Sequence, residues 1–307
     1  MRALFLAVLV LLAQTAKAQS VEELQRLLKE RDAKIRELSE RLEALDKKSA
    51  PEDEELNRAL ERTLVQQGAL VLPARTYEIE PQLAYAHWDR ERGPFRYQWD
   101  TAVAFRAGVG WQSQVQLRIP YVDVATATDS ATGLGDISLS VVKQLAREEG
   151  LRPSVFASVG WVARTGDDAF GGGVPTGGGF NVPQAGLTAV KRHDPLVYFG
   201  GISYAAPRPR EISGVRIEAG NTWALRAGAV LAATPETSVN VGLNLGFVGA
   251  SRLNGQRVPD SDTALGTLQL GFATVLTPRL MLNVAGEFRT SGPVPNFRLL
   301  LGLPIRF

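Results

Sequence analysis

The 307-residue sequence has no cysteine, two histidines and almost no net charge. Without cysteine it can build neither a disulfide framework nor a thiolate metal site. A formal net charge of +2 lacks the basic footprint of a nucleic-acid-binding protein, so we predict no nucleic-acid partner. No serine or histidine stands in a recognisable catalytic setting, and no loop has the ligand spacing of a cation site. We therefore predict no catalytic residue, no metal and no cofactor.

Long apolar runs are also scarce, and the first 18 residues contain the main one. Arg2 precedes about eleven apolar residues, and Ala16-Lys17-Ala18 supplies a small-x-small cleavage site. This pattern is typical of a secretory signal peptide, predicted here as residues 1–18. The alternative, a membrane anchor, is disfavoured because the run is too short to cross a bilayer. No other stretch approaches 18 apolar residues, so no transmembrane helix is predicted.

Residues 19–50 have the heptad pattern of a coiled coil. Seven of eight seam positions between residues 21 and 48 are apolar, the exception being Arg31. The seam residues are Val21, Leu24, Leu28, Ile35, Leu38, Leu42 and Leu45. The run RLEALD resembles the arginine-centred signature of short trimeric coiled coils, which predicts a homotrimer formed through residues 21–48. A single helix packed on its own barrel is the alternative.

Residues 51–72 predict a second, shorter helical region. Pro51 followed by acidic residues is typical of a helix start. Leu56, Leu60 and Leu64 then form a narrow apolar stripe. Because this helix directly precedes the first strand, it either plugs the barrel mouth or only links the coiled coil to it.

Residues 73–307 change to a period of two, which predicts β-strands. In the last strand the apolar residues Phe297, Leu299, Leu301, Ile305 and Phe307 share one face, opposite Arg298 and Arg306. Twelve such segments follow one another. One apolar face and one polar face suit either a soluble sandwich or an outer-membrane barrel.

The connections between these segments favour the barrel. Tight turns, including one predicted at Gly108-Val109-Gly110, alternate with longer loops such as the glycine-rich segment 166–181, which we expect to be flexible. The fold prediction is an all-β transmembrane barrel of about 12 antiparallel strands in the outer membrane, preceded by a periplasmic coiled coil. Its predicted partners are outer-membrane lipid and the outer-membrane assembly machinery, since the terminal Phe307 resembles the insertion signal which that machinery reads.

The polar strand faces predict a lumen with more arginines than carboxylates. The candidate pore-lining residues are Arg106, Arg118, Arg226, Arg298, Arg306, Asp100, Asp136 and Glu287, with Arg96, Arg164 and Arg289 on the same faces. These charges either attract anionic or polar solutes or pair with one another and stabilise the wall.

Three short runs carry a family resemblance. They are LERTLVQQGALVLPARTYEIEPQLAYAH (60–87), GLGDISLSVVKQL (133–145) and VARTGDD (162–168). They resemble the outer-membrane family named for the phenol-degradation meta pathway. With the coiled coil, the chain is also similar to the FapF-type porins that export functional amyloid subunits. The resemblance implies a trimer of twelve-stranded barrels with a helical plug and gated export.

Three functions remain open at this point. The first is a gated pore that exports an unfolded, amyloid-like polypeptide. The second is a passive channel for small aromatic or anionic solutes. The third is a structural protein whose barrel anchors a spacer in the envelope.

Overall fold

The structure, a computed structural model, describes residues 31, 34, 37, 60–65, 69–89 and 95–307. The chain divides into two units, residues 1–54 and residues 55–307. Within the first unit Arg31, Lys34 and Glu37 are helical and exposed. The signal peptide, the seven apolar seam residues and Leu56 lie outside the described residues and remain predictions. Among the residues described, no helix is long and apolar enough to cross a membrane.

The second unit is built on twelve antiparallel wall strands. They are β1 (Tyr77–His87), β2 (Phe95–Gly110), β3 (Ser113–Thr126), β4 (Ser138–Ala146), β5 (Ser154–Val162), β6 (Val182–His193), β7 (Leu196–Ala205), β8 (Thr222–Ala232), β9 (Thr237–Val248), β10 (Thr263–Val275), β11 (Met281–Ser291) and β12 (Phe297–Gly302, continued by Ile305–Arg306). Each strand pairs with its sequence neighbours. The predicted strand number and direction are confirmed.

The sheet closes on itself through its last strand. Leu301 of β12 lies opposite both Val284 of β11 and Leu83 of β1. At the chain terminus, Phe307 exchanges two backbone hydrogen bonds with Tyr77, of 2.9 and 3.3 Å. Closure satisfies the backbone groups that an open sheet edge would expose, which a strand in lipid requires.

Alternation separates an apolar outer face from a buried inner face. In β7, Val197 is 2% exposed, whereas the adjacent Tyr198 is 47% exposed. The outer face carries large apolar side chains on every wall strand, including Tyr121, Trp223 and Leu299. A continuous apolar surface of this kind is not stable in water, and it identifies a barrel of the outer-membrane type.

The connections alternate as predicted, but one turn was placed wrongly. The short turns are 111–112, 147–153, 194–195, 233–236 and 276–280, and this end is periplasmic in such barrels. The first turn consists of Trp111 and Gln112, both with positive φ, rather than of residues 108–110. Positive φ at both central positions is the geometry of a type I′ hairpin, which is more usual for Asn and Gly. Gly108 lies inside β2, where it has another role described below.

The long loops contain side-chain hydrogen bonds and short strands. The carboxylate of Asp136 accepts hydrogen bonds from the N–H groups of Thr165, Gly166 and Gly178, at 3.1, 3.0 and 2.6 Å. Two further loops form a separate four-stranded sheet, made of Arg210–Ile212, Val215–Glu218, Arg252–Leu253 and Gln256–Arg257. Asp136 thus links both ends of the loop at 166–181 to the wall, and the flexibility expected of that loop stays a prediction.

Candidate functional site

The barrel interior contains part of its own chain at the short-turn end. We call residues 60–65 and 69–76 the inner segment. Residues 60–65 are helical, and five of their six side chains are buried, Glu61 being exposed. An amphipathic helix on a surface buries one stripe only, so burial on nearly all sides means that protein surrounds these residues.

The apolar contacts of the inner segment come from strands on one side of the barrel. Leu60, Leu64 and Ala69 belong to one buried cluster with inward-facing residues of β4 to β8. Those wall residues are Val142, Phe156, Val190, Val197, Phe199 and Val230. The predicted stripe residues Leu60 and Leu64 thus face an apolar patch on the lumen wall, at the level of the short turns.

Polar contacts hold the helical residues against the next strands. The Thr63 and Ser238 hydroxyls lie 2.7 Å apart, and both side chains are buried. The Arg62 guanidinium donates to the carbonyl oxygen of Pro278 in the last short turn. These contacts orient the helical residues across the lumen opening.

Residues 69–76 continue along the inner faces of β2 and β3. The Leu72 N–H donates to Gln114 Oε1 at 2.9 Å, and both residues are buried. A Cβ at Gly108 would lie 1.9 Å from the carbonyl oxygen of Pro73. Only glycine allows the inner segment to approach β2 this closely, which explains the glycine that had suggested a turn.

A ladder of ion pairs covers the lumen face of five adjacent strands, β11, β12, β1, β2 and β3. We call this face the charged wall. At its lower end Arg106 lies 2.8 Å from Glu78 and 2.6 Å from Glu80, with all three side chains at most 5% exposed. Arg306 lies 3.4 Å from the other oxygen of Glu78. Buried charges in such a site require partners, and here each charge has one.

The middle of the charged wall is organised around Asp100. Arg118 Nη2 donates to both carboxylate oxygens of Asp100, at 2.8 and 2.7 Å. Arg298 lies 3.6 Å from Asp100 and 4.0 Å from Glu287. These predicted lumen residues pair along neighbouring strands of one wall.

Two members of this network were missed by the sequence analysis. Glu78 and Glu80 lie on the inner face of β1 with Gln82, whose Oε1 accepts from Arg118 at 3.2 Å. The signal was present in YEIEPQL, where alternation places Glu, Glu and Gln on one face. With them, four arginines of the wall face four carboxylates, and the predicted basic surplus is smaller than expected.

Asp136 differs from the other predicted lumen residues. Its carboxylate binds loop amides, as described above, instead of an arginine of the charged wall. In the same loop Asp168 pairs with Arg210, and the hydrogen bond from that guanidinium lowers the pKa of the Asp168 carboxyl below its usual range. These two carboxylates stabilise the loop end of the barrel.

The opposite side of the lumen is formed by β4 to β9, and many of its inward-facing residues are small, including Ser140, Ser158 and Gly201. We call it the small-residue wall. Arg226 on β8 is the predicted lumen residue found here, and its Nη2 donates to the Thr188 hydroxyl at 2.6 Å. A cavity of about 330 Å³ lies against this wall, and one of about 160 Å³ lies against the charged wall.

Three solved structures are similar to this chain, and the first of them supports the fold. The COG4313 outer membrane channel from Pseudomonas putida F1 superposes with a TM-score of 0.67 at 17% identity, covering 78% of this chain and 97% of that one. The translocator domain of the autotransporter NalP from Neisseria meningitidis gives a TM-score of 0.49 at 12% identity, covering 85% and 98%. The NanC porin gives 0.46 at 10% identity, covering 75% and 98%.

The family is decided by the sequence model rather than by these structures. The model described as "Putative MetA-pathway of phenol degradation" matches residues 85–307, well over half of the chain. It spans the barrel from within β1 to the terminal Phe307. The chain therefore belongs to that family.

Proposed function

We propose that this protein is an outer-membrane channel for small water-soluble solutes, restricted at its periplasmic end by the inner segment. The observation that carries the proposal is the burial of five of the six residues 60–65 among inward-facing side chains at the short-turn end. A segment in that position narrows any path through the barrel. The similar structure from Pseudomonas putida F1 is an outer membrane channel, which supports a transport function by analogy.

The character of the lumen supports a channel rather than a filled anchor. Both walls carry polar groups, and cavities of about 160 and 330 Å³ lie against them. A barrel that served only as an anchor could fill its interior with apolar side chains, as small barrels do. Here apolar filling is concentrated at the level of the inner segment.

The strength of the docking is compatible with gating. Burying Leu60 and Leu64 contributes about 1.5–3 kcal/mol each, and each hydrogen bond adds about 1 kcal/mol. Ordering each of the six helical residues costs about 1–2 kcal/mol. The favourable free energy of docking and the cost of ordering are similar in size. The inner segment can therefore dissociate from the lumen wall without unfolding of the barrel.

The oligomeric state and the export function that the family resemblance implies are part of this proposal and its alternatives. We infer a homotrimer from the heptads at residues 21–48, which lie almost wholly outside the described residues. Export of an unfolded polypeptide and a spacer role in the envelope are the alternatives. Export would require the inner segment to be displaced fully, whereas in a spacer role the inner segment would have no effect on conduction. The experiment below distinguishes these cases.

A designed disulfide tests the gate directly. The native chain has no cysteine, and the 2.7 Å between the Thr63 and Ser238 hydroxyls brings the corresponding sulfur atoms close enough to bond. We expect the T63C/S238C variant, oxidised in planar bilayers, to show fewer and shorter open events than the same channels after reduction. Removing residues 19–67 should instead raise the single-channel conductance.

The controls are the two single-cysteine variants, which should not respond to reductant. An E61C/S238C pair offers a further control, since Glu61 is the exposed residue of the helical stretch. Identical conductance in the oxidised, reduced and truncated proteins would overturn the gate and favour the anchoring role. A conductance after truncation large enough for an extended polypeptide would favour export.

A further inference from the structure

We propose that the outside of the barrel, at the long-loop end of β7 to β9, contains a binding site for a phosphorylated glycolipid of the outer leaflet. The site is a cavity of about 760 Å³. A row of aromatic residues on the wall strands lines one side of it, and a row of charged residues on the four-stranded sheet of the loops lines the other. This inference goes beyond the proposed function, because it concerns the lipid around the barrel and not a solute that passes through it.

The aromatic row consists of Tyr204, Trp223 and Phe247, which lie side by side on β7, β8 and β9. The ring centroids of Tyr204 and Trp223 are 4.6 Å apart. Trp223 and Phe247 are 50% and 48% exposed, so the row lies on the outer face. Each of the three stands one position from the end of its strand at the long loops. Aromatic residues at this level of an outer-membrane barrel lie at the interface with the outer leaflet.

The charged row consists of Glu218, Arg252 and Arg257, which are direct neighbours across three strands of the loop sheet. Residues directly opposite each other in an antiparallel sheet share one face. Glu218 precedes Trp223 by five residues, and Arg252 follows Phe247 by five. The charged row therefore belongs to the external loops, at the level where lipid headgroups lie.

The loop sheet is fixed to the wall at its base. The Gly249 N–H donates to the carbonyl oxygen of Asn221 at 2.8 Å. A Cβ at Gly220 would lie 1.7 Å from the carbonyl oxygen of Gly249. Only glycine allows the two hairpins to approach this closely. Because these residues also line the cavity, the separation of the two rows is set by the fold.

The charged groups of the cavity define the headgroup. Arg252 and Arg257 supply guanidinium donors, which match phosphate oxygens. Asp262 lies 2.7 Å from Arg257 Nη2 and orients that guanidinium, which has further N–H groups to donate. The carboxylates of Glu218 and Asp262 accept hydrogen bonds from hydroxyl groups but repel a ligand that carries only anionic groups. A phosphorylated sugar provides both the hydroxyl donors and the phosphate acceptor.

The outer face beside the cavity favours a lipid over a soluble sugar phosphate. Ile202 and Leu225 lie opposite each other in the next outward-facing row, and they are 42% and 43% exposed. This apolar surface is covered by acyl chains in the membrane. A glycolipid places its acyl chains there and its headgroup between the two rows. A volume of about 760 Å³ is in the range of sites for molecules of that size.

Native mass spectrometry of the detergent-folded full-length protein tests this site. The probes are diphosphoryl lipid A, monophosphoryl lipid A, phosphatidylethanolamine and the water-soluble glucose 1-phosphate, each titrated separately. We expect the tightest binding for diphosphoryl lipid A, weaker binding for monophosphoryl lipid A, and the weakest for the other two. Arg252→Gln should weaken the binding of diphosphoryl lipid A at least about tenfold, the effect of losing one hydrogen bond to a charged group.

A matched pair of substitutions separates this site from a general aromatic belt. Trp223→Leu removes a ring of the aromatic row and should weaken diphosphoryl lipid A. Trp161→Leu removes an outward-facing ring that is 40% exposed at the same end of β5 but does not line the cavity, and it should bind as the wild type does. Arg279→Gln, an equal charge change in an exposed short turn, should also be silent. All variants should remain heat-modifiable on gels.

Three outcomes would overturn the site: equal affinity for the three lipids, wild-type affinity in Arg252→Gln, or equal losses in Trp223→Leu and Trp161→Leu. Binding of glucose 1-phosphate as tight as that of diphosphoryl lipid A would refute a lipid as the ligand. Neither Arg252 nor Trp223 lines the two lumen cavities. Refuting this site therefore leaves the channel proposal intact, and a protein that binds the glycolipid without conducting refutes the channel alone.

Discussion

The two sides of the lumen use opposite means to remain stable. On the charged wall, long side chains pair across adjacent strands, so that Arg106, Glu78 and Glu80 form one buried cluster. On the small-residue wall, Gly186 and Gly201 allow neighbouring groups to pack closely, and stability comes from the apolar cluster around Phe156 and Leu64. The charged wall is held by ion pairs between strands, whereas the small-residue wall is held by apolar packing.

This difference assigns different roles to similar residues. The arginines of the charged wall neutralise carboxylates and hold five strands in register. Arg226 on the small-residue wall instead donates to the Thr188 hydroxyl at 2.6 Å. The same wall receives Leu60 and Leu64 at the short-turn end. The effects of substitutions in the two walls should therefore differ in kind as well as in magnitude.

The largest effect is expected where the charged wall is most buried. Arg106→Gln leaves Glu78 and Glu80 without their shared cation, which should lower the free energy of unfolding by about 3–5 kcal/mol, the cost of breaking a buried ion pair. Denaturant unfolding in lipid vesicles measures it. Arg306→Gln is the matched control, since the Arg306 side chain is 23% exposed and lies 3.4 Å from Glu78. An equal loss in both variants would contradict the account of the charged wall.

A pair of alanine substitutions compares glycines on the two sides. Gly108→Ala places a Cβ 1.9 Å from the Pro73 carbonyl oxygen, so the inner segment must shift. We expect higher open probability in bilayers and a loss of stability of about 1–3 kcal/mol, as for other overpacked sites. At Gly242, on β9, the nearest atom to a new Cβ is 3.6 Å away, and Gly242→Ala should be silent. A silent Gly108→Ala would show that the inner segment does not rest on β2.

The smallest effect lies outside both walls, in the loop fixed by Arg210 and Asp168. Because the guanidinium lowers the pKa of Asp168, the pair stabilises the fold above the ordinary aspartate pKa of about 3.9. That contribution is lost as the pH falls through the lowered pKa of the folded state. The difference in unfolding free energy between wild type and Arg210→Gln should be present at pH 6 and vanish in stronger acid. A difference that persists there would assign the effect of Arg210 to packing on Phe170.

The wall strands could be predicted because their information is local. Each carries alternating apolar and polar residues over about ten positions, and lipid selects that pattern strand by strand. Phe297, Leu299 and Leu301 in β12 show it without reference to any other strand. The turn at Trp111 and Gln112 was missed for the converse reason, because two nearby glycines suggested a turn that was not there. Gly108 is explained by Pro73, which is distant in the chain.

The contents of the lumen could be predicted only in part. Arg106, Arg118 and Arg298 were assigned inward by alternation, but their partners depend on which strands lie side by side. Glu78 was overlooked, and its pairing with Arg306 joins the first and last strands of the barrel. The position of residues 60–65 was left open between plug and linker. Their burial inside the barrel depends on apolar residues from five different strands.

The sequence by itself determined the number of strands, their inner and outer faces and the chemistry that each face presents, because a strand side chain can point only to one side of the sheet or the other. The tertiary structure decided which charges neutralise each other and which wall the inner segment packs against. These depend on closure, which brings β12 against β1 and makes neighbours of residues more than 200 positions apart. Periodicity within one strand contains no information about which distant strand it will pair with.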